Sequence, residues 1–462
     1  MTSSDFASLS LHNNLVQNLT DLGYTSMTPI QAQSLPDIVA GKDVIAQAKT
    51  GSGKTAAFAL GLLNRLNVKQ FNVQSLVLCP TRELADQVAS EIRKLARTIH
   101  NIKVLTLCGG MPFGPQIGSL EHGAHIIVGT PGRIEEHIRK GTLELDNLSA
   151  FVLDEADRML EMGFQESLDN IIAAMPRKRQ TLLFSATYPD AIEQLAKNIM
   201  HKPERVTVES HEAHSNIEQT FYRLQDNKQR LTALVLLLKK YKPNSSVVFC
   251  NTKRESQEVA DELKAMGFSA VALHGDLEQK QRDETLVRFS NQSASILVAT
   301  DVAARGLDIA DLDAVFNYQL ARDSEVHVHR IGRTGRAGNK GRAFSFYIDS
   351  EGYKLVKLEE YLNIKVNNQK LPDFALLDKP AFKANMVTLQ IDGGKKQKVR
   401  PGDILGALTA ANGISGKQVG KIAVMDNCAY VAVEKDAAKP ALKKLSEGKL
   451  KGRSFRVRRI RS

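Results

Sequence analysis

The amino-acid sequence predicts an α/β protein with two tandem doubly wound parallel-sheet domains and a smaller C-terminal α+β domain. Three observations carry this prediction. Short apolar runs recur along the chain, and each leads through polar or glycine-containing residues into a helical stretch. The pattern restarts after about residue 215, and the last eighty or so residues differ from the rest in both charge and pattern.

The first domain is predicted from apolar runs that are too short for core helices and are typical of strands buried on both faces. These runs are Val44–Ala46, Leu76–Leu78, Ile126–Val128, Phe151–Leu153 and Leu182–Phe184. They lead into AKTGSGKT, PTRE, TPGR, DEAD and SAT, respectively. Ligands of open α/β sheets bind beyond the carboxyl ends of the strands, so we expect these polar groups to line one crevice.

The run AKTGSGKT, residues 48–55, has the form of a phosphate-binding loop between a strand and a helix. Gly51 and Gly53 allow backbone N–H groups to surround phosphates, Lys54 reaches the outer phosphate, and the Thr55 hydroxyl can hold Mg²⁺. Its first position is alanine where the general pattern has glycine, and such a run arises by chance in about one chain in a hundred of this length. It indicates nucleotide hydrolysis but not the kind of hydrolase.

The sequence DEAD follows another predicted strand. Asp154 is placed to bind Mg²⁺ through water, and Glu155 to orient or deprotonate the attacking water. The alternative is a solvated acidic loop. The position of these residues after a strand beside the phosphate loop argues for the catalytic interpretation.

The second domain repeats the strand pattern without a phosphate loop of its own. Its strands are predicted at Val247–Phe249, at Val271–Leu273, at Ile296–Val298 and around Val315 and Phe316. Arg330, Arg333 and Arg336 then recur every three residues, so on a helical turn their guanidinium groups would lie towards one face. They would face either the phosphate of a hydrolysis transition state or nucleic-acid phosphates. The first alternative requires the two halves to close on each other.

Charge is concentrated in the C-terminal region. Residues 380–462 contain 18 Lys and Arg against 6 Asp and Glu, a net charge of +12, whereas the whole chain carries +11. The remainder is therefore close to neutral, and the basic region predicts attachment to a polyanion. The alternative is a solubilising tail, but the region has a secondary-structure pattern. Strands are expected at Val387–Ile391, Ile422–Val424, Tyr430–Val433 and Phe455–Val457, with helices at Asp403–Leu408 and Ala437–Leu445, which is the βαββαβ order of an RNA-recognition module.

Composition also excludes several classes of protein. Cys79, Cys108, Cys250 and Cys428 lack metal-ligand spacing and indicate reduced thiols. No apolar run approaches the roughly 20 residues of a membrane span, and no leader precedes Phe6, so we expect a cytoplasmic protein. We expect domains at residues 1–208, 217–370 and 385–462, with a linker at 371–384.

Together these motifs resemble those of the DEAD-box ATP-dependent RNA helicases, over about Phe6 to Tyr347. TPIQ at residues 28–31 is similar to the adenine-reading Q motif of that family, and ATDVAARGLD at 299–308 and HRIGRTGR at 329–336 extend the series. The resemblance implies two RecA-like domains that use ATP and Mg²⁺. It implies nucleotide contacts from Phe6, Gln31, Ala48, Lys49, Thr50, Gly51, Ser52, Gly53, Lys54, Thr55 and Asp308.

The resemblance also implies roles for residues remote from the phosphate loop. Arg333 and Arg336 would be arginine fingers, and coupling of hydrolysis to strand separation would involve Asp157, Ser185, Thr187, His329 and Arg330. The RNA backbone would be bound by Pro80, Arg82, Gly110, Thr130, Arg133, Gln279, Arg282, Thr300 and Gly306. Backbone and 2′-OH contacts carry no base sequence information, so specificity must come from elsewhere.

The C-terminal region resembles the RRM-like RNA-binding domain of a bacterial subfamily of these helicases, on the sequences at residues 391–408 and 420–427. The resemblance implies recognition of a large-subunit ribosomal RNA hairpin by a monomeric helicase that acts on pre-ribosomal particles during 50S subunit assembly. The central strands offer Tyr430 alone where a pair of stacking aromatic residues is expected. We therefore expect binding mainly through Lys395, Lys396, Arg400, Lys449 and Arg453.

Two other functions remain open at this point. A non-hydrolysing, ATP-gated RNA-binding or scaffold protein could keep the same shape, although it would have no need of Glu155 or of the arginines. A DNA-tracking relative is the third possibility. The chain departs from the family at Gln319, which stands where an acidic residue is common.

Overall fold

A computed structural model describes residues 5–48, 51–208, 216–304, 312–335, 340–411 and 413–460. The chain divides into two compact units at residues 211 and 212. All four cysteines are free thiols, as the sequence indicates. Among the described helices, none is both long enough and apolar enough to cross a bilayer.

The first unit is built on a seven-stranded parallel sheet with the strand order β3-β4-β2-β5-β6-β1-β7. Its strands are β1 (Val44–Gln47), β2 (Ser75–Leu78), β3 (Val104–Leu107), β4 (Ile126–Gly129), β5 (Ala150–Asp154), β6 (Gln180–Ser185) and β7 (Glu204–Thr207). Its helices are α1 (Asn13–Asp21), α2 (Pro29–Val39), α3 (Lys54–Asn64), α4 (Arg82–Leu95), α5 (Phe113–Glu121), α6 (Pro131–Arg139), α7 (Ala156–Glu161), α8 (Gln165–Ala173) and α9 (Asp190–Ile199).

Burial explains why these strands form. Strands β2, β4, β5 and β6 are buried along their whole length, because helices cover both faces of the sheet. One apolar cluster lies on each face, the first around Phe58 and Phe184 and the second around Phe151 and Met159. Each predicted strand of this unit is present. Strands β3 and β7, which the apolar pattern did not predict, are partly exposed and form the two edges.

The second unit contains a six-stranded parallel sheet with the order β10-β11-β9-β12-β13-β8. Its strands are β8 (Ile217–Arg223), β9 (Ser246–Cys250), β10 (Ala270–Leu273), β11 (Ile296–Thr300), β12 (Ala314–Asn317) and β13 (Gly341–Tyr347). Its helices are α10 (Gln229–Tyr241), α11 (Lys253–Ala265), α12 (Gln279–Ser290), α13 (Asp301–Ala304), α14 (Ser324–Ile331) and α15 (Gly352–Leu362). Strands β8 and β13 were not predicted.

The same unit ends in a four-stranded antiparallel sheet with the order β15-β16-β14-β17. Its elements are β14 (Met386–Ile391), α16 (Pro401–Thr409), β15 (Val419–Val424), β16 (Ala429–Glu434), α17 (Ala438–Glu447) and β17 (Val457–Arg459). This is the predicted βαββαβ order. Alternation along β14 directs Val387, Leu389 and Ile391 into the apolar core of this domain and Thr388 to the opposite face.

The outer face of this antiparallel sheet is covered by the parallel-sheet domain that precedes it. The Asn291 side chain donates to Thr388 Oγ1 over 2.8 Å, and the Ser293 and Thr388 hydroxyls lie 2.6 Å apart. Thr388 is buried, so this polar junction is closed to water. The Phe268 and Phe382 rings pack edge to face beside it, with centroids 5.5 Å apart.

Candidate functional site

The loop between β1 and α3 has a backbone that requires glycine. Gly51 and Gly53 have φ angles of 81° and 97°, in the left-handed region. A Cβ atom at Gly53 would lie 2.6 Å from the Gln31 Nε2 atom and 2.9 Å from the Thr28 Oγ1 atom. Gly53 therefore brings the loop against the start of α2. Lys49 and Thr50, which the sequence places in the same loop, lie outside the described residues.

The loop presents groups suited to an anion. Lys54 is buried at the start of α3, and its ammonium group donates to the carbonyl oxygen of Ala48. The Ser52 hydroxyl oxygen is buried and has no hydrogen-bond partner within the described residues. Thr55 occupies the first turn of α3, where the helix dipole favours negative charge. A buried hydroxyl oxygen that lacks a partner among the described residues, in the same loop as a buried ammonium group, fits a nucleotide phosphate.

Gln31 is linked directly to this loop. Its amide oxygen accepts from the Thr28 backbone N–H over 2.9 Å, and its amide nitrogen donates to the Gly53 carbonyl oxygen over 3.0 Å. Phe6 is buried in the apolar cluster of the same unit and meets Tyr24 edge to face. The structure thus places the TPIQ sequence against the phosphate loop, 22 residues further along the chain.

Asp154 and Glu155 lie at the carboxyl end of β5, which is separated from β1 by β6 alone. Burial raises the pKa of Asp154 to about 7, and the nearby Lys54 ammonium group opposes this shift. Glu155 is the N-cap residue of α7 and has a left-handed backbone conformation (φ 54°). This conformation is uncommon for a residue other than glycine. Mg²⁺ keeps several of its waters and is commonly bound by one carboxylate together with substrate phosphates. The Asp154 carboxylate, near the phosphate loop, suits such a site.

Asp157 connects α7 to the loop after β6. Its carboxylate accepts from both the backbone N–H and the hydroxyl of Thr187, over 3.0 and 2.9 Å. Burial would raise the pKa of Asp157, but Arg158 and the two Thr187 donors hold it below its usual value. The Ser185 carbonyl oxygen accepts from the Ala48 N–H over 3.1 Å. The DEAD, SAT and phosphate-loop sequences therefore form one connected network.

A second group of predicted residues lies at the other end of the same sheet, where β2, β4 and β3 are neighbours. Helices α4 and α6 begin directly after β2 and β4, so their N-termini point to this edge. Arg82, at the start of α4, packs on Gly110, where an added Cβ would overlap its guanidinium group. Its Nη1 atom is buried and lacks a hydrogen-bond partner within the described residues. Pro80 and Thr130 precede these two helices.

Arg133 has a different environment from Arg82. Its guanidinium group donates to the Met111 carbonyl oxygen over 3.0 Å and to the Gln116 amide oxygen over 2.8 Å, and it pairs with Glu136. These bonds hold the loop that carries Gly110. The structure therefore gives Arg133 a supporting position for that loop.

In the second unit, the predicted RNA contacts lie near the carboxyl end of β11. Thr300 ends this strand, and Arg282 of α12 donates to the Ala303 carbonyl oxygen over 2.9 Å. The Gln279 amide donates to Asp283 on the same helix. Gly306 and Asp308 lie outside the described residues.

Arg330 and Arg333 do not lie on one helical face, so this part of the prediction for the three recurring arginines is wrong. Helix α14 ends at Ile331 and is capped by Gly332, so Arg333 lies beyond it. Arg330 is 1% exposed and directs its guanidinium group inward, where it forms a bidentate ion pair with Asp301 at 2.6 and 2.7 Å. His329 is half-buried at the end of the helix. Arg336 lies outside the described residues.

The network around Arg330 includes residues that the motif reading did not single out. Arg330 also donates to the Asn251 side-chain oxygen and to the Gln319 carbonyl oxygen, over 3.0 and 2.9 Å. Asn251 follows β9 and Asp301 follows β11. The sequence pattern places both polar residues at the ends of predicted strands but assigns neither of them a role.

Tyr430 is not available for base stacking, and its expected RNA contact is wrong for this structure. The side chain is 2% exposed. Burial, followed by a hydrogen bond with Cys428, raises its pKa, and the carboxylates of Glu284 and Asp283 on α12 act in the same direction. Packing of the preceding domain on the outer face of the sheet is the physical reason.

The basic candidates of the C-terminal domain are exposed: Lys395, Lys396, Arg400, Lys449 and Arg453. The two segments that carry them are neighbours. The Lys451 ammonium group donates to the Lys398 carbonyl oxygen over 3.1 Å and lies 3.3 Å from the Asp403 carboxylate. We call the five exposed residues the basic surface.

The arrangement as a whole, with a phosphate loop in the first of two parallel-sheet units and motif residues at the strand ends of both, defines a helicase-type nucleotide hydrolase. Residues 28–195 match the DEAD/DEAH box helicase family, residues 226–338 the helicase conserved C-terminal domain, and residues 388–459 the DbpA RNA binding domain. The chain is 54% identical to the ATP-dependent RNA helicase DbpA of Escherichia coli over 96% of each chain. It is 38% identical to DbpA of Bacillus subtilis over 98% of this chain and 99% of that protein.

Solved structures also resemble this chain over about four fifths of its length. Dbp5 of S. cerevisiae, solved with RNA and ADP BeF3, aligns with a TM-score of 0.72 at 30% identity, over 79% of this chain and 96% of that one. The chain belongs to the DEAD-box ATP-dependent RNA helicases. It is an RNA-binding enzyme that hydrolyses ATP with Mg²⁺, and its two parallel-sheet domains are RecA-like.

Proposed function

We propose that this helicase locally separates short RNA duplexes in large-subunit ribosomal RNA during 50S subunit assembly, and that its C-terminal domain directs it to one hairpin of that RNA. The observation that supports the proposal is the basic surface on a domain whose sheet face is closed. Such a domain binds a folded RNA through its phosphates and exposed loop bases rather than by stacking single-stranded bases on the sheet. Both full-length relatives are named ATP-dependent RNA helicase DbpA.

In this proposal, Lys54 and the backbone N–H groups of the phosphate loop bind the phosphates of ATP. Thr55 and, through water, Asp154 would hold Mg²⁺, which would neutralise phosphate charge. Glu155 orients and deprotonates the attacking water. Phe6 and Gln31 receive the adenine, and Asp308 receives the ribose. The link from Gln31 to Gly53 lets a bound base influence the phosphate loop.

The second unit supplies Arg333 and Arg336, which stabilise charge in the transition state. Arg330 orients this segment from its buried position, and Asp157 with Ser185 and Thr187 connects hydrolysis to the RNA-binding edge of the first sheet. The N-termini of α4 and α6, with Arg82 and Gly110, bind the RNA backbone without reading its sequence.

The proposed assignment to domains is residues 1–208 for ATP binding, 217–370 for the arginines, 371–384 as linker and 385–462 for ribosomal RNA. Under this assignment residues 1–208 alone would hydrolyse ATP slowly even with saturating RNA. The protein acts as a monomer on pre-ribosomal particles.

The targeting role is tested by removing charge from the basic surface of the full-length chain. Deletion of residues 384–462 would also uncover the surface around Asn291 and Ser293, so substitution is the cleaner experiment. We expect Lys395→Gln with Lys396→Gln to raise the KM for ribosomal RNA fragments about tenfold or more, because each lost phosphate contact reduces the electrostatic free energy of binding. The kcat at saturating generic RNA should be unchanged.

The matched control removes the same charge elsewhere in that domain. Lys435 and Lys439 are exposed at the N-terminal end of α17, at the opposite end of that helix from Lys449. Lys435→Gln with Lys439→Gln should keep the preference for ribosomal RNA. If both double variants lost the preference for ribosomal RNA equally, the effect would come from the total charge of the domain and not from the basic surface. If Lys395→Gln with Lys396→Gln kept the preference, the targeting role would be refuted.

A further inference from the structure

Gln319 forms hydrogen bonds with three residues of the second unit, namely Asn251, Glu255 and Arg330. It lies two residues beyond β12, and its amide oxygen accepts from the Asn251 backbone N–H over 3.0 Å. Its amide nitrogen donates to the Glu255 carboxylate, at the start of α11. Its own backbone carbonyl oxygen accepts from Arg330 over 2.9 Å. One side chain therefore joins the ends of β9 and β12 to α11.

These bonds continue into the network that holds Arg330. Asn251, whose backbone is bound by Gln319, accepts from the Arg330 guanidinium group through its side-chain oxygen over 3.0 Å. On its other side the guanidinium group is paired with Asp301. The Gln319 amide thus reaches Arg330 through Asn251, and the Gln319 backbone carbonyl oxygen accepts from the same guanidinium group.

The position requires a group that both donates and accepts. The Asn251 N–H needs an acceptor, and the Glu255 carboxylate needs a donor, because an ionised carboxylate has no proton to give. The second carboxylate oxygen of Glu255 is buried without a hydrogen-bond partner within the described residues, so the Gln319 amide is an important donor to this group. An amide meets both requirements, whereas an ionised carboxylate at residue 319 would repel Glu255.

We propose that Gln319 is a positioning residue for Arg330: its amide holds Asn251 and Glu255 in the arrangement that orients the guanidinium group, and with it the segment leading to Arg333. This inference rests on the proposed role of that segment in ATP hydrolysis. Gln319 is assigned no contact with ATP or RNA and acts through Arg330.

Several charged groups surround Glu255 and affect its titration. Burial raises the pKa of Glu255, while the Gln319 hydrogen bond and the Arg230 guanidinium group lower it, and Glu258 and Glu351 raise it. Arg230 is itself buried and paired with Glu351. The Tyr318 hydroxyl and the Cys250 thiol also interact with Glu255, and burial raises the pKa of both above their ordinary values.

The test uses Gln319→Glu in the full-length chain. Two carboxyl groups at this distance share one proton, so the pair is satisfied when singly protonated and repels when both groups are ionised. We expect kcat for RNA-stimulated hydrolysis, relative to the unaltered protein, to fall roughly ten- to a hundredfold from mildly acidic to mildly alkaline pH, because a displaced positioning group costs about that much in rate. The unaltered protein has a neutral amide here and provides the reference profile.

The swapped variant, Gln319→Glu with Glu255→Gln, keeps the same net charge as the unaltered protein. Its carboxylate accepts from Asn251 and from the new amide, so it should restore kcat at the higher pH. The proposal would be overturned if the pH profile of kcat for Gln319→Glu paralleled that of the unaltered protein, or if the swapped variant did not recover kcat at the higher pH. A Gln319→Glu chain that unfolds at the higher pH would also overturn it, because the amide would then serve stability alone.

Failure of the proposed function gives a different result. If Arg330→Ala retained full RNA-stimulated turnover, the role of the HRIGRTGR segment would fail whatever Gln319 does. If Arg330→Ala is inactive and the Gln319→Glu profile is flat, only the inference about Gln319 fails.

Discussion

The side-chain amide of Gln31 donates to the carbonyl oxygen of Gly53 over 3.0 Å, and this bond joins the first turn of α2 to the phosphate loop. A carboxylate in place of the amide would bring two acceptors together. We therefore predict that Gln31→Glu raises the KM for ATP about tenfold or more through loss of this bond and repulsion. Steady-state ATP turnover measures the effect. Gln33→Glu, exposed on the same helix, is the matched control and should behave as the unaltered protein.

Lys54→Ala should abolish RNA-stimulated turnover. The buried ammonium group beside the Ala48 carbonyl oxygen is the cation that we assign to the outer phosphate, and removal of such a group costs roughly 10² to 10³ in rate. Lys69→Ala, in an exposed loop of the same unit, is the control. Retained activity in Lys54→Ala would move the nucleotide site elsewhere.

Glu155→Gln should separate binding from hydrolysis. The amide has the same shape and keeps the left-handed start of α7, but it cannot accept a proton from water. We expect ATP-dependent RNA binding to persist while phosphate release falls by about 10² or more. Glu166→Gln, which is exposed on α8, should have no effect on either measurement. Rapid turnover by Glu155→Gln would remove its assigned role.

Arg82→Gln should weaken RNA binding and leave ATP binding intact. The Arg82 guanidinium group packs on Gly110 at the edge of the sheet remote from the phosphate loop, and one of its nitrogens is buried without a hydrogen-bond partner in the part of the chain that the structure describes. The variant should raise the KM for RNA on all sequences and reduce the salt dependence of binding by about one phosphate contact. Arg97→Gln, which loses only a surface pair with Asp21, is the control. An unchanged salt dependence would count against an RNA contact.

The first unit should lose stability in mild acid through His137. This ring is buried between Gln116 and Thr142, and burial, with the nearby Arg133, lowers its pKa from 6.5 to about 4. The unfolded chain therefore binds a proton that the folded chain excludes, so the free energy of unfolding decreases as pH falls from 6.5 towards 4. The decrease should reach about 3 kcal/mol.

His137→Asn provides the comparison for that prediction. It should be less stable near neutral pH, because the two ring hydrogen bonds are lost, but it should lose less further stability on acidification. Urea unfolding of the unaltered and variant chains across this pH range measures the difference. Parallel curves would assign the acid sensitivity to other groups.

Continuous apolar runs are sufficient local signals for the buried strands of this protein. The runs around Val77, Val152 and Val248 became strands within one or two residues of their predicted limits, because a strand buried on both faces must be apolar throughout. Strands β3 and β7 are edge strands with exposed positions, and the apolar pattern missed them. Strand β8 also forms an edge, and its sequence mixes polar and apolar residues.

The three-residue spacing of Arg330, Arg333 and Arg336 was misleading for a related reason. Spacing places side chains on one face only while a helix continues, and α14 stops at Ile331. Burial then removes Arg330 from the surface and pairs it with Asp301. A distant carboxylate thus decides where this guanidinium group points.

The amino-acid order alone determined the sheet class, the glycine positions of the phosphate loop and the charge of the C-terminal domain, since these depend on local periodicity, backbone freedom and composition. Only tertiary packing decided that Tyr430 is covered, that Arg330 points inward and that Gln319 bridges Asn251 and Glu255. Each of these outcomes depends on contacts between segments distant along the chain, and a local pattern carries no information about which distant group removes a side chain from water.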